Sequence, residues 1–196
     1  MGAVVVVSFI SMDGVVQAPL SPDEDRDGGF AHGGWVPPAS DDVVNAFMQR
    51  ATIGAAAMLL GRRTYDNFVA AWARADDSEP AVAAMNRMPK YVVTSSRGDL
   101  RWQNSQSVAG DLPHAVADLR GRTDGDVVVF GGATLVQGLA EADLVDAYRL
   151  LVFPVVLGAG KRLFGERSRL ARFRLADSVI SPRGVVILSY VRGTSA

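Results

Sequence analysis

The chain has 196 residues, 48% of them hydrophobic and 21% charged, with a formal net charge of −1. So even a balance supplies no broad positive field, which argues against a general nucleic-acid binder or a membrane-surface protein, and any anion site must be local. The absence of cysteine excludes disulfides, thiol nucleophiles and cysteine-ligated zinc or iron–sulfur sites, and His32 and His114 carry no metal-ligand spacing.

The first apolar run, "AVVVVSFI" at 3–10, predicts a core strand. Its lead-in lacks the basic start and small-residue cleavage site of a secretory signal. No apolar stretch approaches membrane-spanning length, so a cytoplasmic location and no membrane partner are expected. Ser11 to Ser40 then carries acids, glycines and prolines, as in "APLSPDEDRDGGFAHGGWVPP", and predicts a loop. A loop of that length inside a compact domain is functional or mobile. "SDDVVNAFMQRA" begins a helix with Ser40 or Asp41 as its N-cap. The run over 55–60 predicts a short strand that stops at Gly61. Tyr65, Phe68, Val69 and Trp72 then recur at three- and four-residue steps, so a helix spans 62–72.

Glu79 to Met88 predicts a short helix ended by Pro89, "KYVVTSS" a strand, and "DLPHAVADLRGR" a helix with Leu112, Val116 and Leu119 inward. "DVVVFGG", 126–132, is an apolar strand entering a glycine turn, "ATLVQGLAEAD" a helix, and "AYRLLVFPVVLG" a strand broken at Pro154. The closing "RFRLADSVISPRGVVILSYV" alternates around a Ser-Pro-Arg-Gly turn and reads as a hairpin. The expected fold is a single α/β domain over 1–196. Its three layers surround a mostly parallel sheet with a C-terminal antiparallel hairpin.

In open α/β sheets, ligands lie across the carboxyl ends of strands. Three such ends here share a composition. At "GRRT", Arg62 and Arg63 open a helix, where cations oppose the dipole; an anion drawn by unpaired N–H groups explains that placement better than solubility alone. At "VVTSSRG", Thr94, Ser95, Ser96 and Arg97 follow a strand, although such a run is more often simply a loop. At "VVVFGGATLV", Gly131 and Gly132 let the backbone approach a ligand ahead of Ala133, Thr134 and Leu135, although a glycine pair is more often only a tight turn. Jointly the three point to a phosphate-rich ligand. The G-x-G-x-x-G and Walker lysine motifs are absent, and no G-x-S-x-G turn supports a serine triad.

"SMDG" at 11–14, "LLGRRTYD", "KYVVTSS", "VVVFGGATLV" and "FPVVLGAGKRLF" occur in the order seen in the dihydrofolate-reductase-like superfamily. Over nearly its whole length the chain resembles stand-alone proteins similar to the C-terminal reductase domain of bifunctional riboflavin-biosynthesis enzymes. The resemblance implies a dihydrofolate-reductase-like fold and an NADPH-dependent reductase, paired as a homodimer and acting on a small molecule. It implies that Gly61, Arg62, Arg63 and Thr64, with Thr94, Ser95, Ser96 and Arg97, hold the pyrophosphate and 2′-phosphate. The turn Gly131, Gly132, Ala133, Thr134 and Leu135 would support the pyrophosphate and the nicotinamide side. Asp13 matches the family's active-site aspartate. In the riboflavin-type version, a C=N or C=O carbon of 5-amino-6-(5-phosphoribosylamino)uracil takes the hydride and an opened ribose becomes a ribityl chain; folate reduction is a variant.

Each residue on the substrate side has a second reading. Asp13, just before Gly14, is equally a turn aspartate. Asp42, with Asp41, either places a carboxylate in the pocket or stabilises the first helical turn, the commoner role. Trp35 either stacks on a planar ring from the long loop or is a buried satellite contact. Lys161 and Arg162 either position a substrate phosphate or form a solvated basic tip, and His32 reads as solvated. "GGATLVQGLAEADLVDAYRL" is apolar enough to pack between subunits. No metal is expected, and a zinc deaminase activity is excluded for want of cysteine ligands. A non-catalytic nucleotide-binding or dimerising module is the competing class; it needs no acid at the nicotinamide edge.

Overall fold

Alternation along the first strand organises the whole molecule. The computed structural model describes residues 1–95, 98–108 and 110–193. In it, β1 (Ala3–Ser11) turns Val4 and Val6 to one face and Val5 and Val7 to the other, all four buried. A strand apolar on both faces must sit in the middle of a covered sheet, and β1 does. The strands β2 (Ala57–Gly61), β3 (Lys90–Val93), β4 (Ser105–Val108), β5 (Asp126–Phe130), β6 (Ala147–Phe153), β7 (Phe173–Ile180) and β8 (Val186–Arg192) join it in one sheet, ordered β4-β3-β2-β5-β1-β6-β8-β7. Pairings from β4 through to β6 are parallel, and β8 and β7 close the sheet antiparallel, as the hairpin predicted.

Helices cover both faces. α1 (Asp42–Ile53), α2 (Arg62–Trp72) and α3 (Pro80–Arg87) pack Val44, Ala51, Tyr65, Val82 and Met85 against Val5, Val7, Met58, Leu60, Val128 and Phe130. On the opposite face, α4 (Leu112–Arg122) and α5 (Ala133–Glu141) bring Val116, Leu119, Leu135, Val136 and Leu139 onto Val4, Val6, Ala57, Leu59, Val127 and Val129. Each such side chain taken out of water contributes about 1.5–3 kcal/mol. That packing buries Ala133, Leu135, Val136 and Leu139 of α5 against the sheet.

β4 is absent from the sequence reading. "SQSV" has no apolar alternation, is mostly exposed, and lies at the sheet edge, so nothing but its pairing with β3 defines it. The end of β3 beyond Val93 also differs: the predicted strand ran to Ser96, which lies outside the described residues.

Lys90, at the start of β3, is fully buried. Its Nζ donates to the carbonyls of Asn86 (3.3 Å), Met88 (2.9 Å) and Gln103 (3.0 Å) and lies 4.6 Å from the Trp102 ring centroid. The ammonium thereby satisfies carbonyls at the end of α3 and ties them to the segment leading into β4. Burial pushes Lys90 down to about 8. Replacing it with methionine strands the carbonyls of Met88 and Gln103, while that of Asn86 keeps Asn104 Nδ2 at 3.1 Å, so K90M should lose about 1–3 kcal/mol in urea unfolding; a loss below a few tenths would show that the carbonyls find other donors.

Candidate active site

A cleft of about 1510 Å³ opens along the carboxyl ends of β1, β2, β3 and β5. The topology creates it: β5 is inserted between β2 and β1, so the chain leaves neighbouring strand ends in different directions. Val7, Ser8 and Phe9 of β1 and Phe130 of β5 line it, with Phe68 and Trp72 of α2, Met48 of α1 and Met85 of α3. The result is a largely apolar slot with charged groups at particular points.

Two helices point their N-termini into this slot. α2 starts after Gly61 and α5 after Gly132, and neither cap position offers a side-chain acceptor or a first-turn acid. By contrast, α1 and α4 are capped by Asp41 and Asp111, whose carboxylates take up backbone N–H groups. The free N–H groups of α2 and α5 therefore remain available to an anion, and both dipoles favour one. Close packing makes glycine necessary at position 132: φ is +80°, and a Cβ there would stand 2.9 Å from Thr64 Oγ1. Arg62 lines the cleft beside them. Its Nε donates to Asp66 at 3.0 Å, while its Nη1 is buried and finds no partner among the described residues. An orphaned guanidinium N–H between two uncapped helix starts suits a pyrophosphate.

The other cations are already engaged. Arg63 Nη1 lies 3.0 Å from Asp25 and 3.2 Å from Asp27; Lys161 Nζ lies 2.8 Å from Asp25 and 2.9 Å from Asp27. Expected as free phosphate ligands, they are neutralised by the loop between β1 and α1. That loop is built around Gln17, which is 3% exposed. Its Nε2 donates to the carbonyls of Asp25 and Asp27, its Oε1 accepts from Lys161 N, and its own carbonyl accepts from Trp35 Nε1. Beneath the loop, Val15, Ala18 and Phe30 form a small core of their own. Sequence reasoning missed Gln17, because one glutamine in a polar stretch carries no pattern. Asp25 and Asp27 read only as part of an acidic loop.

Two substrate-side residues lie elsewhere than expected. Asp13 does not face the cleft. Its carboxylate accepts from Ser11 Oγ (2.7 Å), Leu157 N (3.1 Å) and Gly158 N (2.9 Å), pinning the turn after β6 to the end of β1. Arg162 donates to the Asp13 carbonyl and so serves the same turn. The Ser11 hydroxyl first, with the two backbone N–H groups, holds the Asp13 carboxyl down at about 2. Trp35 is buried, edge-on to Phe153 at 5.6 Å, which leaves no ring face for a ligand. Thr94 and Ser95 follow Val93, the last β3 residue of the lining; Ser96 and Arg97 lie outside the described residues. The structure does bring Gly61, Arg62, Arg63, Thr64, Gly131, Gly132, Ala133, Thr134, Leu135, Asp42 and Lys161 to one cleft. Among the described residues there is no cluster of acids and histidines able to hold a metal ion, and no helix long and apolar enough to cross a membrane.

Comparison with known proteins agrees with this geometry. The model of the RibD C-terminal domain family matches residues 3–187. YyaP of Bacillus subtilis (strain 168) is 25% identical over 136 residues, which are 68% of this chain and 72% of that protein. Among solved structures, a protein of Shewanella sp. PV-4 assigned provisionally to riboflavin biosynthesis superposes with a TM-score of 0.70 at 21% identity, covering 98% of this chain and 99% of that one. Dihydrofolate reductase of Enterococcus faecalis, complexed with NADP(H) and RAB-propyl, superposes with a TM-score of 0.64 at 14% identity, covering 98% of each chain. The fold is therefore dihydrofolate-reductase-like.

The Asp13 assignment carries a pH signature. Its folded carboxyl titrates at about 2 against an ordinary 3.8, so it stabilises the fold above the ordinary value, and the stabilisation is lost as pH falls toward 2. Wild type should exceed D13N in urea midpoint at pH 5, and the gap should close on approach to pH 2. A gap that does not change with pH would mean that charge at Asp13 does nothing for the turn.

Proposed function

The chain belongs to the RibD C-terminal domain family, and from that premise we propose that it is an NADPH-dependent reductase of a small molecule bearing a C=N or C=O bond. The observation that carries the reading is the pair of uncapped helix N-termini at Gly61 and Gly132, with the orphaned Arg62 Nη1 beside them. They open into a cleft deep enough for a second, planar ligand.

Bound reduced nicotinamide supplies a hydride. The residues of this chain do the rest. Backbone N–H groups at the starts of α2 and α5 and the free edge of Arg62 hold a pyrophosphate. The apolar lining of Val7, Phe130, Phe68 and Met48 gives planar rings a dry wall and excludes water. Asp42 takes the role that Asp13 does not fill. It stands in the first turn of α1, lines the cleft, and its carboxylate makes no hydrogen bond among the described residues. Its neighbour Asp41 is spent on the cap and on Arg183 N. Asp42 is placed to hydrogen-bond the substrate and pass a proton, through ordered water, to the heteroatom whose carbon gains the hydride. The bond thus reduced gains one hydride and one proton. A riboflavin-type substrate, an opened ribose on a pyrimidine, fits this chemistry and is the version the family favours. Pairing of two copies belongs to the same proposal, with edge strand β7 as the contact, since Leu175, Val179 and Ile180 are exposed there.

NADPH titration by fluorescence tests the reading directly. G132V should abolish binding in a folded protein, because a branched side chain at positive φ closes on Thr64. D42N should keep NADPH affinity and lose on the order of a hundredfold in turnover. Wild type that does not bind NADPH, or D42N with full turnover, would overturn the corresponding assignment. For the pairing, sedimentation velocity should give twice the chain mass, and an Ile180→Asp variant should sediment as a monomer; a monomeric wild type ends that part.

A further inference from the structure

The long loop carries its own counter-charge into the cleft. Asp25, Asp27, Arg63 and Lys161 all line it, and their four ion pairs, between 2.8 and 3.2 Å, cancel two positive charges with two negative ones. Those are the cations nearest the start of α2 on the loop side, and a phosphate entering there meets carboxylates already seated on them. We propose that Asp25 and Asp27 are an internal anion whose competition for Arg63 and Lys161 sets how tightly, and how selectively, the cleft holds the phosphate groups of a nucleotide. The identity of that nucleotide rests on the dinucleotide reading above.

Two kinds of bond hold the loop, and they separate cleanly. Neutral bonds fix its backbone: Gln17 Nε2 to the carbonyls of Asp25 and Asp27, Asn67 Nδ2 to the carbonyl of Glu24 at 3.2 Å, and the buried Val15–Ala18–Phe30 core. Glycine closes the packing, since a Cβ at Gly160 would stand 2.8 Å from both Phe30 and Val15. None of these needs the Asp25 or Asp27 carboxylate. The Asp25 carboxylate makes one backbone bond besides, accepting from Asp27 N at 3.1 Å, and the amide oxygen of an asparagine can take that bond over. The ionic bonds are otherwise an addition to a loop that is already placed, so a charge-neutral replacement frees Arg63 and Lys161 and keeps the backbone bonds. The carboxylates are held in the charged state. Asp27 is lowered by Lys161 first and Arg63 next; burial raises Asp25, and the bonds from Lys161, Asp27 N and Arg63 together outweigh it. They therefore compete as full anions at neutral pH. Arg63 keeps its charge as well, raised further by Asp27 first and Asp25 next.

Calorimetric titration of wild type and D25N/D27N with NADPH, NADH and inorganic pyrophosphate tests the competition. The double variant should bind pyrophosphate and NADPH roughly three- to tenfold tighter, gain more for NADPH than for NADH, and lose affinity more steeply with added salt, because its cations are no longer internally screened. Unchanged or weaker pyrophosphate binding by a folded double variant overturns the proposal. Wild type that binds NADPH while the variant does not tighten leaves the cofactor reading standing and removes this one. A variant that gains pyrophosphate affinity in a protein indifferent to both dinucleotides does the reverse. If the double variant does not fold, D27N alone, whose side chain is 55% exposed, should give a smaller gain of the same sign, and no gain there also overturns the proposal.

Discussion

The position of β5 between β2 and β1 is the constraint on which the site depends. Because β2 and β5 are neighbours and parallel, the helices that follow them begin side by side, and both begin without a side-chain cap. A helix start left uncapped carries a cost unless water or a ligand takes up its donors. Here two of them share one cleft, packed closely enough that Gly132 tolerates no Cβ beside Thr64. The attraction that two such helix starts exert on an anion comes mainly from backbone groups. Side-chain charge modifies it.

That division explains why the arginines are arranged as they are. Arg62 is tied to its own helix through Asp66 and keeps one buried N–H free for the cleft. Arg63 points the other way, into the loop, and is shared with Lys161 between Asp25 and Asp27. Adjacent residues at the start of one helix therefore play opposite parts, because the helix turns successive side chains about 100° apart. Gln17 stands behind the second arrangement. Its amide bonds in both directions, to the acidic loop and to the turn at Lys161, so the charges meet on a neutral scaffold.

Family membership and fold likeness enter as separate kinds of support. The family match spans nearly the whole chain, whereas the solved structures are similar in shape at identities of 21% and 14%. Shape at that distance establishes how strands and helices are arranged, and chemistry has to be argued from the side chains this chain possesses. On that footing Asp42, on α1, lines the cleft with no hydrogen bond among the described residues, while Asp13 is a structural pin between the end of β1 and the turn after β6.

What the sequence determined by itself is local. Periodicity placed helix 62–72 to the residue, capping chemistry placed α1 behind Asp41, and alternation around a turn announced the hairpin. Glycines at strand ends marked the two helix starts that open into the cleft, because a helix start is defined within a few residues of chain. β4 escaped since its only definition is a neighbour. The fates of Asp13, Trp35, Asp25 and Gln17 were likewise beyond reach. Each is settled by a partner distant in the chain: Leu157 for Asp13, Phe153 for Trp35, Lys161 for Asp25 and Gln17. A carboxylate's role depends on which donors surround it, and only the tertiary fold chooses the donors that come from far along the chain.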